Sequence, residues 1–310
     1  MRVFVGGASG AIGRPLVRQL VAAGHQVAGM TSREENAAAI AADGARAVVC
    51  DALDARATEA AVAAERPEVV VSQLTRLPDD YDPRSIDYGP TNRARAEGGR
   101  NLIEAARTAG ASRFITQSIA FLYRPEGDWV KSEEAPPWTD APRPFASGVE
   151  PTLRHEREAV EAEGLEGLVL RYGFFYGPGT HYAAGGSVAK QVRRRRFPIV
   201  GRGTGVFSFV HVDDAAAATV EALTRGGPGI YNVVDDDPAE LREWLPAYAE
   251  ALGAKRPLRV PAWLAGLAAG SWAKAISTEL RGASNAKARR ELGWEPSYTS
   301  WRQGFREALG

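Results

Sequence analysis

The chain has 310 residues, enough for two domains or for one large domain with an appended lobe, and its 38 basic residues equal its 38 acidic ones. This balance gives no net field that favours nucleic acid or a membrane, and the basic run Arg193 to Arg196 is typical of a solvated helix end. The single cysteine, Cys50, excludes an internal disulfide, and four scattered histidines give no metal-ligand spacing. No apolar run is long enough to cross a bilayer, so we expect a cytoplasmic protein.

The first elements of the chain predict a strand, a glycine-rich turn and a helix, in that order. The strand covers Arg2 to Val5, and apolar residues recur at helical spacing from Arg14 to Ala23. Gly7 would allow a tight turn, Gly10 the close approach of a pyrophosphate, and Gly13 close packing of the helix on the strand. The helix N-terminus would offer unpaired N–H groups to phosphate. We therefore predict a dinucleotide site formed by Gly7, Ser9, Gly10, Ala11, Ile12 and Gly13.

Strands and helices then alternate along the chain. We predict strands at 26–30, 45–50, 68–72, 113–117 and 167–171. We predict helices at 34–42, 56–64, 91–108 and 151–163. Valine-rich runs that are apolar on both faces belong in parallel sheets covered by helices. The pattern predicts an α/β fold with a doubly wound parallel sheet, and ligands should lie outside the carboxyl ends of its strands.

The second half of the chain departs from this alternation. Five prolines interrupt residues 124–148, and a loop of this length inside a compact domain is usually functional or mobile. Beyond Tyr172, Pro, Gly and Trp become frequent. We therefore predict a dinucleotide-binding domain at 1–172 and a smaller substrate-binding lobe at 173–310, with residues 206–222 returning to the main sheet.

Seven segments spread over the chain share a pattern with one family. They are Gly6–Gly13, Glu97–Leu102, Leu170–Gly179, Phe209–Asp214, Tyr231–Val233, Ser284–Lys287 and Glu291–Pro296. Together they resemble the motifs of extended short-chain dehydrogenases/reductases of the NAD-dependent epimerase/dehydratase group. The resemblance implies a Rossmann fold, a nicotinamide cofactor, a small-molecule substrate and a homodimer.

The choice of cofactor can be argued from the end of the second strand. A carboxylate there would bind the ribose hydroxyls of NAD and repel a 2′-phosphate. The chain instead has Ser32 and Arg33, and a guanidinium offers planar donors suited to phosphate oxygens. We predict NADP in preference to NAD, the alternative being that Arg33 simply opens a solvated helix.

The resemblance supplies further cofactor contacts at the ends of the next two strands. It implies that Asp51, beside Ala52, accepts a hydrogen bond from the adenine amino group. It also implies that backbone at Leu74 and Thr75 lines the ribose.

The resemblance fails at the catalytic residues. The family uses Ser or Thr on the fifth strand and Tyr-x-x-x-Lys on the next helix, where tyrosine exchanges a proton with substrate. Ser118 fits the first position, but no Tyr-x-x-x-Lys follows. Aligning the helix by Glu158 places Glu150 and Arg154 at the pair's positions, on one helical face. Arg154 could hold the ribose but cannot exchange a proton, and Glu150 would be a poor acid unless buried.

Tyr176 is another candidate proton donor, the alternative being a packing role. Aromatic residues point to an apolar or aromatic pocket, or else to an ordinary core: Trp129, Trp138, Phe145, Phe174 and Phe175. Three functions stay open. The first is an NADP(H)-dependent oxidoreductase acting on a carbonyl or alcohol; the second is an epimerase, isomerase or lyase with bound cofactor. The third is a binding protein that senses the cofactor.

Overall fold

The computed structural model describes residues 1–78 and 87–309, without the side chains of 265–269. Its strands are β1 (Arg2–Gly6), β2 (Gln26–Thr31), β3 (Arg46–Val49), β4 (Val69–Ser72), β5 (Arg113–Ile119), β6 (Val130–Lys131), β7 (Glu166–Tyr172), β8 (Phe174–Tyr176), β9 (Ile199–Val200), β10 (Val206–Phe207), β11 (Phe209–His211), β12 (Gly229–Val233), β13 (Ala239–Glu240), β14 (Arg259–Val260) and β15 (Gly282–Ala283). Its α-helices are α1 (Gly13–Ala22), α2 (Ala37–Ala42), α3 (Ala55–Glu65), α4 (Gly89–Arg93), α5 (Gly99–Thr108), α6 (Ala146–Val160), α7 (Ser187–Arg193), α8 (Val212–Glu221), α9 (Leu241–Ala251), α10 (Ala262–Thr278), α11 (Ala286–Leu292) and α12 (Trp301–Leu309).

A seven-stranded sheet forms the centre of the fold. Its order is β12-β7-β5-β4-β1-β2-β3, and every neighbouring pair is parallel. The predicted doubly wound parallel sheet is therefore confirmed. Among the described residues, no helix has the length and apolar character needed to cross a membrane.

Both faces of the sheet are covered, which explains its valine-rich strands. In β4, Val69 and Val71 belong to the apolar cluster that contains Leu16 of α1. Val70, between them, belongs to the opposite cluster with Leu102 of α5. Successive side chains of a strand point to opposite faces, so a strand covered on both sides must be apolar at every position.

The helix predicted at 91–108 is longer and is irregular in its middle. It begins at Gly89, and a π-helical segment, Ala94–Gly98, joins α4 to α5. Such single-turn π segments are rare and often lie at functional sites.

The prediction that residues 206–222 return to the sheet is wrong for its strands. β10 pairs with β13, and β11 pairs with β8, both outside the seven-stranded sheet. The strand that completes the sheet is β12, which lies beside β7. Helix α8 does return, because it packs against α1. Alternation of apolar residues identifies a strand but not its partner, which explains the error.

Candidate functional site

The turn between β1 and α1 requires glycine at two positions. Gly7 has φ +80°, and a Cβ there would lie 2.6 Å from the carbonyl oxygen of Gln73. The amides of Gly7 and Ala8 both donate to the carbonyl of Met30, at 3.1 and 3.0 Å. A Cβ at Gly13 would overlap the carbonyl oxygen of Gly7. Gly13 therefore lets the helix sit directly on the turn.

Gly10 faces outward from this turn and meets a different environment. A Cβ at Gly10 would contact only the carbonyl oxygen of Gly7, at 3.3 Å. The neighbouring amides of Ala11, Ile12 and Gly13 have no hydrogen-bond acceptor within the described part of the chain. An exposed turn with unpaired N–H groups at a helix N-terminus fits a pyrophosphate. The residues present thus suit a dinucleotide cofactor.

The end of β2 presents neutral polar groups beside one arginine. Ser9 Oγ and Thr31 Oγ1 lie 3.2 Å apart, and Asn36 Nδ2 donates to Ser9 Oγ at 3.3 Å. Ser32 and Arg33 are exposed. The Arg33 guanidinium makes neither a hydrogen bond nor an ion pair with the described residues, so it is available to a ligand at this edge.

Asp51 lies at the end of β3, where the adenine is expected, but it already has a partner. Arg76 Nη2 donates to both carboxylate oxygens of Asp51, each at 2.9 Å. Burial raises the pKa of Asp51, but hydrogen bonds from the Leu53 amide and Arg76 outweigh this and lower it overall. An adenine amino group would therefore share this carboxylate with Arg76 or displace it.

Two other residues predicted at the cofactor, Ala52 and Leu74, accept hydrogen bonds through their backbone carbonyls. The carbonyl of Ala52 accepts from Asn101 Nδ2, and that of Leu74 accepts from Gln117 Nε2, both at 2.8 Å. Thr75 is exposed just beyond β4. These residues lie at the carboxyl ends of β3 and β4, where a ligand of a doubly wound sheet is expected.

Ser118 lies near the end of β5 and takes part in a buried ion pair. Its hydroxyl donates to Glu156 Oε1 at 2.5 Å, and it is 2% exposed. Arg171 of β7 donates to the same carboxylate through Nε at 2.8 Å and Nη2 at 2.5 Å. Burial lowers the pKa of Arg171, but the hydrogen bonds and charge of Glu156 outweigh it and raise the pKa. Glu156 therefore keeps the Arg171 guanidinium charged.

This ion pair continues into a buried polar chain. Arg171 Nη1 donates to the Tyr123 hydroxyl at 3.1 Å, which in turn donates to Asn232 Oδ1 at 2.6 Å. Burial raises the pKa of Tyr123 to about 12. Sequence reasoning missed Glu156, although its spacing from Val149 and Thr152 on one face of α6 was a usable signal.

The structure does not bring Glu150 and Arg154 to Ser118, which corrects the predicted alignment. Both are exposed, and Glu150 pairs with Arg157 at 3.0 Å. The acidic residue that reaches Ser118 is Glu156 rather than Glu158. When the alignment is shifted so that Glu156 takes the place of Glu158, the tyrosine and lysine positions of the family fall on Gly148 and Thr152.

Gly148 and Thr152 carry neither a phenol nor an amine, so the position of the missing pair holds no proton donor of either kind. Thr152 is buried on the same face of α6 as Glu156. The periodicity of α6 sets the correction, because residues 150 and 156 lie about 120° apart around a helix.

Tyr176 is buried among aromatic side chains. It is 0% exposed, in edge-on contact with the rings of Phe209, His211 and Phe305. Burial raises the pKa of its hydroxyl strongly. The phenol packs against Gly304, so Tyr176 is a core residue rather than a proton donor.

Aromatic rings line the region beyond β5 and β8. Phe121 stacks on Phe174 with ring centroids 4.3 Å apart and lies 6.1 Å from Phe145, which stacks on Trp272 at 4.4 Å. Phe121 and Phe174 keep part of their surface exposed. We call Phe121, Phe145, Phe174 and Trp272 the aromatic wall.

The other aromatic candidates lie around this wall or away from it. Trp138 lies next to the wall, 6.2 Å from Trp272. Trp129 instead stacks under the Arg281 guanidinium at 3.8 Å, and Phe175 packs on Tyr172 at 5.3 Å.

Comparison with known proteins agrees with this architecture. The model of the NAD dependent epimerase/dehydratase family matches residues 3–233. A Streptomyces sp. protein named 3-diazoavenalumate denitrifying reductase is 47% identical over 306 residues, covering 98% of this chain and 99% of that protein.

Two solved structures illustrate the shared fold. The UDP-glucose 4-epimerase of Thermus thermophilus, in complex with NAD, has a TM-score of 0.75 at 28% identity and covers 100% of this chain and 98% of that one. A human epimerase family protein with NADPH has a TM-score of 0.75 at 20% identity, covering 100% and 99%. The second likeness concerns the fold alone.

Proposed function

We propose that this protein is an NADPH-dependent reductase of a diazo compound. The chain belongs to the NAD dependent epimerase/dehydratase family, which comprises NAD(P)-dependent oxidoreductases and epimerases. The substrate would carry its diazo group on an apolar, aromatic framework, and the product would carry hydrogen in its place. The similarity to a relative named denitrifying reductase, which extends over nearly the whole length of both chains, supports this proposal.

The observation that carries the proposal is the ion pair at Ser118. Reduction of a ketone needs a proton for the developing alkoxide, normally from a positioned acid. Here the Ser118 hydroxyl donates its hydrogen bond to Glu156, and Arg171 donates to the same side chain. The Ser118 hydroxyl is buried and already engaged by Glu156, which leaves it poorly placed to give a proton to substrate.

An aromatic substrate whose diazo group is present as the diazonium ion, R–N₂⁺, removes the need for that acid. When bound, NADPH supplies a hydride, so that R–N₂⁺ and NADPH become R–H, N₂ and NADP⁺. The carbon–nitrogen bond breaks, a carbon–hydrogen bond forms, and no proton is taken up overall. The aromatic wall supplies apolar contact for the ring that carries the diazo group.

The decisive experiment compares an arenediazonium ion with the ketone of matching shape. With purified protein and NADPH, we expect one N₂ and one NADP⁺ per diazonium consumed, and slow or absent oxidation of NADPH by the ketone. A reaction without protein corrects for direct reduction by NADPH. Steady turnover of the ketone alone would contradict the proposal, and tight cofactor without turnover of either compound would favour an epimerase.

The preference for NADPH is the second part of the proposal. The unpaired guanidinium of Arg33 and the neutral groups of Ser9 and Asn36 support binding of a 2′-phosphate. Arg33→Ala should weaken NADPH binding by about 5- to 150-fold, the loss expected for charge-assisted hydrogen bonds, and leave NADH affinity unchanged. Calorimetric titration measures both dissociation constants. Arg154→Ala, at another exposed arginine, is the control. Equal losses of NADPH and NADH affinity in Arg33→Ala would contradict the proposed preference for NADPH.

A further inference from the structure

Arg95 lies in the π segment, which the fold places at the carboxyl edge of the sheet. A Cβ at Gly98, three residues after Arg95, would lie 3.1 Å from the side chains of Ala52 and Leu74. These two residues follow the carboxyl ends of β3 and β4. Because α5 runs back along the sheet from this point, Arg95 lies at the level of the strand exits or just beyond them. The π segment also packs against α6.

The Arg95 side chain is a mostly buried cation with little to balance it. Its Nε has no exposed surface and no hydrogen-bond partner, and its guanidinium forms no ion pair with the described residues. Glu156 lies near enough for its charge to act on Arg95, but that carboxylate is already engaged by Ser118 and Arg171. Burying a charge without a partner is costly, and a bound anion would remove the cost.

The charge of Arg95 persists at neutral pH. Burial lowers the pKa of Arg95 to about 10, while Tyr88 and Glu156 oppose the decrease. His155, close by on α6, does not compete for an anion, because burial lowers its pKa to about 4 and leaves it neutral. Within residues 1–78 and 87–309, Arg95 is therefore a charged side chain without an anionic partner in this part of the site.

We propose that Arg95 binds a carboxylate of the substrate in the active site. The proposal deepens and rests on the function proposed above, since it specifies that the aromatic diazo substrate is an acid. The planar donors of a guanidinium match the two oxygens of a carboxylate, which gives direction as well as affinity.

The position of Arg95 argues against a cofactor phosphate. The pyrophosphate turn follows β1, and the 2′-phosphate site proposed at Arg33 follows β2. Arg95 instead lies close enough to Glu156 of α6 for that charge to act on it, and Glu156 contacts Ser118 near the end of β5. Phe145, the residue that precedes α6, contributes to the aromatic wall. A ring on the wall and a carboxylate at Arg95 together describe an aromatic acid.

A binding experiment on the protein loaded with NADP⁺ tests the inference without turnover. The probes are 4-hydroxycinnamate and its methyl ester, titrated by calorimetry. We expect the acid to bind at least about tenfold more tightly than the ester, as a charge-assisted pair requires. Arg95→Gln should reduce the acid to the affinity of the ester, Arg95→Lys should restore part of the difference, and all variants should bind NADPH within about twofold of the wild type. Arg154→Gln, exposed on the other side of α6, is the matched control.

The outcomes separate this inference from the proposed function. Equal affinity of the wild-type protein for acid and ester, or binding of neither, overturns the carboxylate site without recourse to any variant. Weaker NADPH binding by Arg95→Gln with unchanged binding of the acid also overturns it and assigns Arg95 to the cofactor. If the protein binds the acid through Arg95 but never releases N₂ from the diazonium ion, the carboxylate site stands and the proposed reduction of a diazo compound is wrong.

Discussion

At the scale of single residues, the buried Glu156–Arg171 ion pair stabilises the fold only while both partners are present. Both side chains are almost fully buried, and each needs the other because water cannot reach them. Ser118 and Tyr123 complete their hydrogen bonds. Together these residues hold α6 against β5 and β7 at the edge where substrate is expected.

Removing one member of the pair should therefore be costly. Glu156→Gln leaves the Arg171 guanidinium buried without an anion, and we expect the free energy of unfolding to fall by about 3–5 kcal/mol. Glu150→Gln on the same helix is the control, since Glu150 has a side chain 66% exposed and its ion pair should be worth less than about 1 kcal/mol. Urea denaturation of both variants measures the difference. Similar losses in the two would contradict the assigned role of the pair.

His155 makes a second prediction at this scale. It is buried against Thr116, whose Oγ1 lies 2.9 Å from Nε2, and burial lowers the pKa of His155 to about 4. The unfolded chain, with a histidine pKa near 6.5, then binds more protons than the folded one between these values. Stability should accordingly fall as the pH drops from about 6.5 to about 4.

The contribution of His155 can be isolated by substitution. Between about pH 7.5 and 4.5 the wild type should lose roughly 2–3 kcal/mol more unfolding free energy than His155→Gln, which has no titrating ring. Denaturation curves at both pH values give the two differences. An identical loss in both proteins would mean that His155 does not titrate abnormally.

At the scale of elements, the glycine turn separates folding from binding. A Cβ at Gly13 overlaps the Gly7 carbonyl, whereas one at Gly10 meets a single atom and otherwise faces outward. Gly13→Ala should cost about 1–3 kcal/mol of stability through overpacking. Gly10→Val should stay folded, with unchanged circular dichroism, and lose NADPH binding because its side chain fills the space of the pyrophosphate. Retained cofactor affinity in folded Gly10→Val would remove the turn from the site.

The local sequence pattern predicted the helices and strands better than it predicted how they pack against one another. The first strand, turn and helix follow from spacing alone, because the apolar run, the three glycines and the helical period that predict them all lie between Arg2 and Ala23. The register of α6 is harder to predict, since Glu158 and Glu156 both fit the motif, and only the helical face shared with Val149 and Thr152 favours Glu156, which contacts Ser118. The buried pairing of Glu156 with Arg171 depends on β7, fifteen residues further along, and no local signal encodes it.

The same reason explains what sequence reasoning missed in the site. Arg95 lies in a helix that the pattern predicted correctly, yet its importance comes from burial without a partner. Tyr176 occupies a motif position but is enclosed by rings from α12 and β11. Burial is a property of the assembled fold, so a candidate list drawn from motifs can be right about residue types and wrong about access.

At the scale of the whole molecule, the two predicted lobes share a core cluster, while a second cluster is built from buried residues between Tyr176 and Phe305 alone. The cluster that contains Val3 and Leu16 of the N-terminal part also contains Val210, Ala215 and Trp294. β12 supplies the last strand of the sheet, beside β7. A chain cut after residue 172 would expose the edge of β7 and one face of α1, and such edges are prone to aggregation.

We therefore expect the full chain to unfold in one cooperative transition. All seven tryptophans lie at or beyond Trp129, five of them beyond residue 172, whereas the parallel sheet and its helices come mainly from earlier residues. Tryptophan fluorescence thus reports chiefly on the second part, and far-ultraviolet circular dichroism on both. Coincident midpoints in urea would support a shared core, because independent domains lose structure separately. Two resolved transitions, with fluorescence changing in only one, would restore the division at residue 172 and make 1–172 a domain that folds alone.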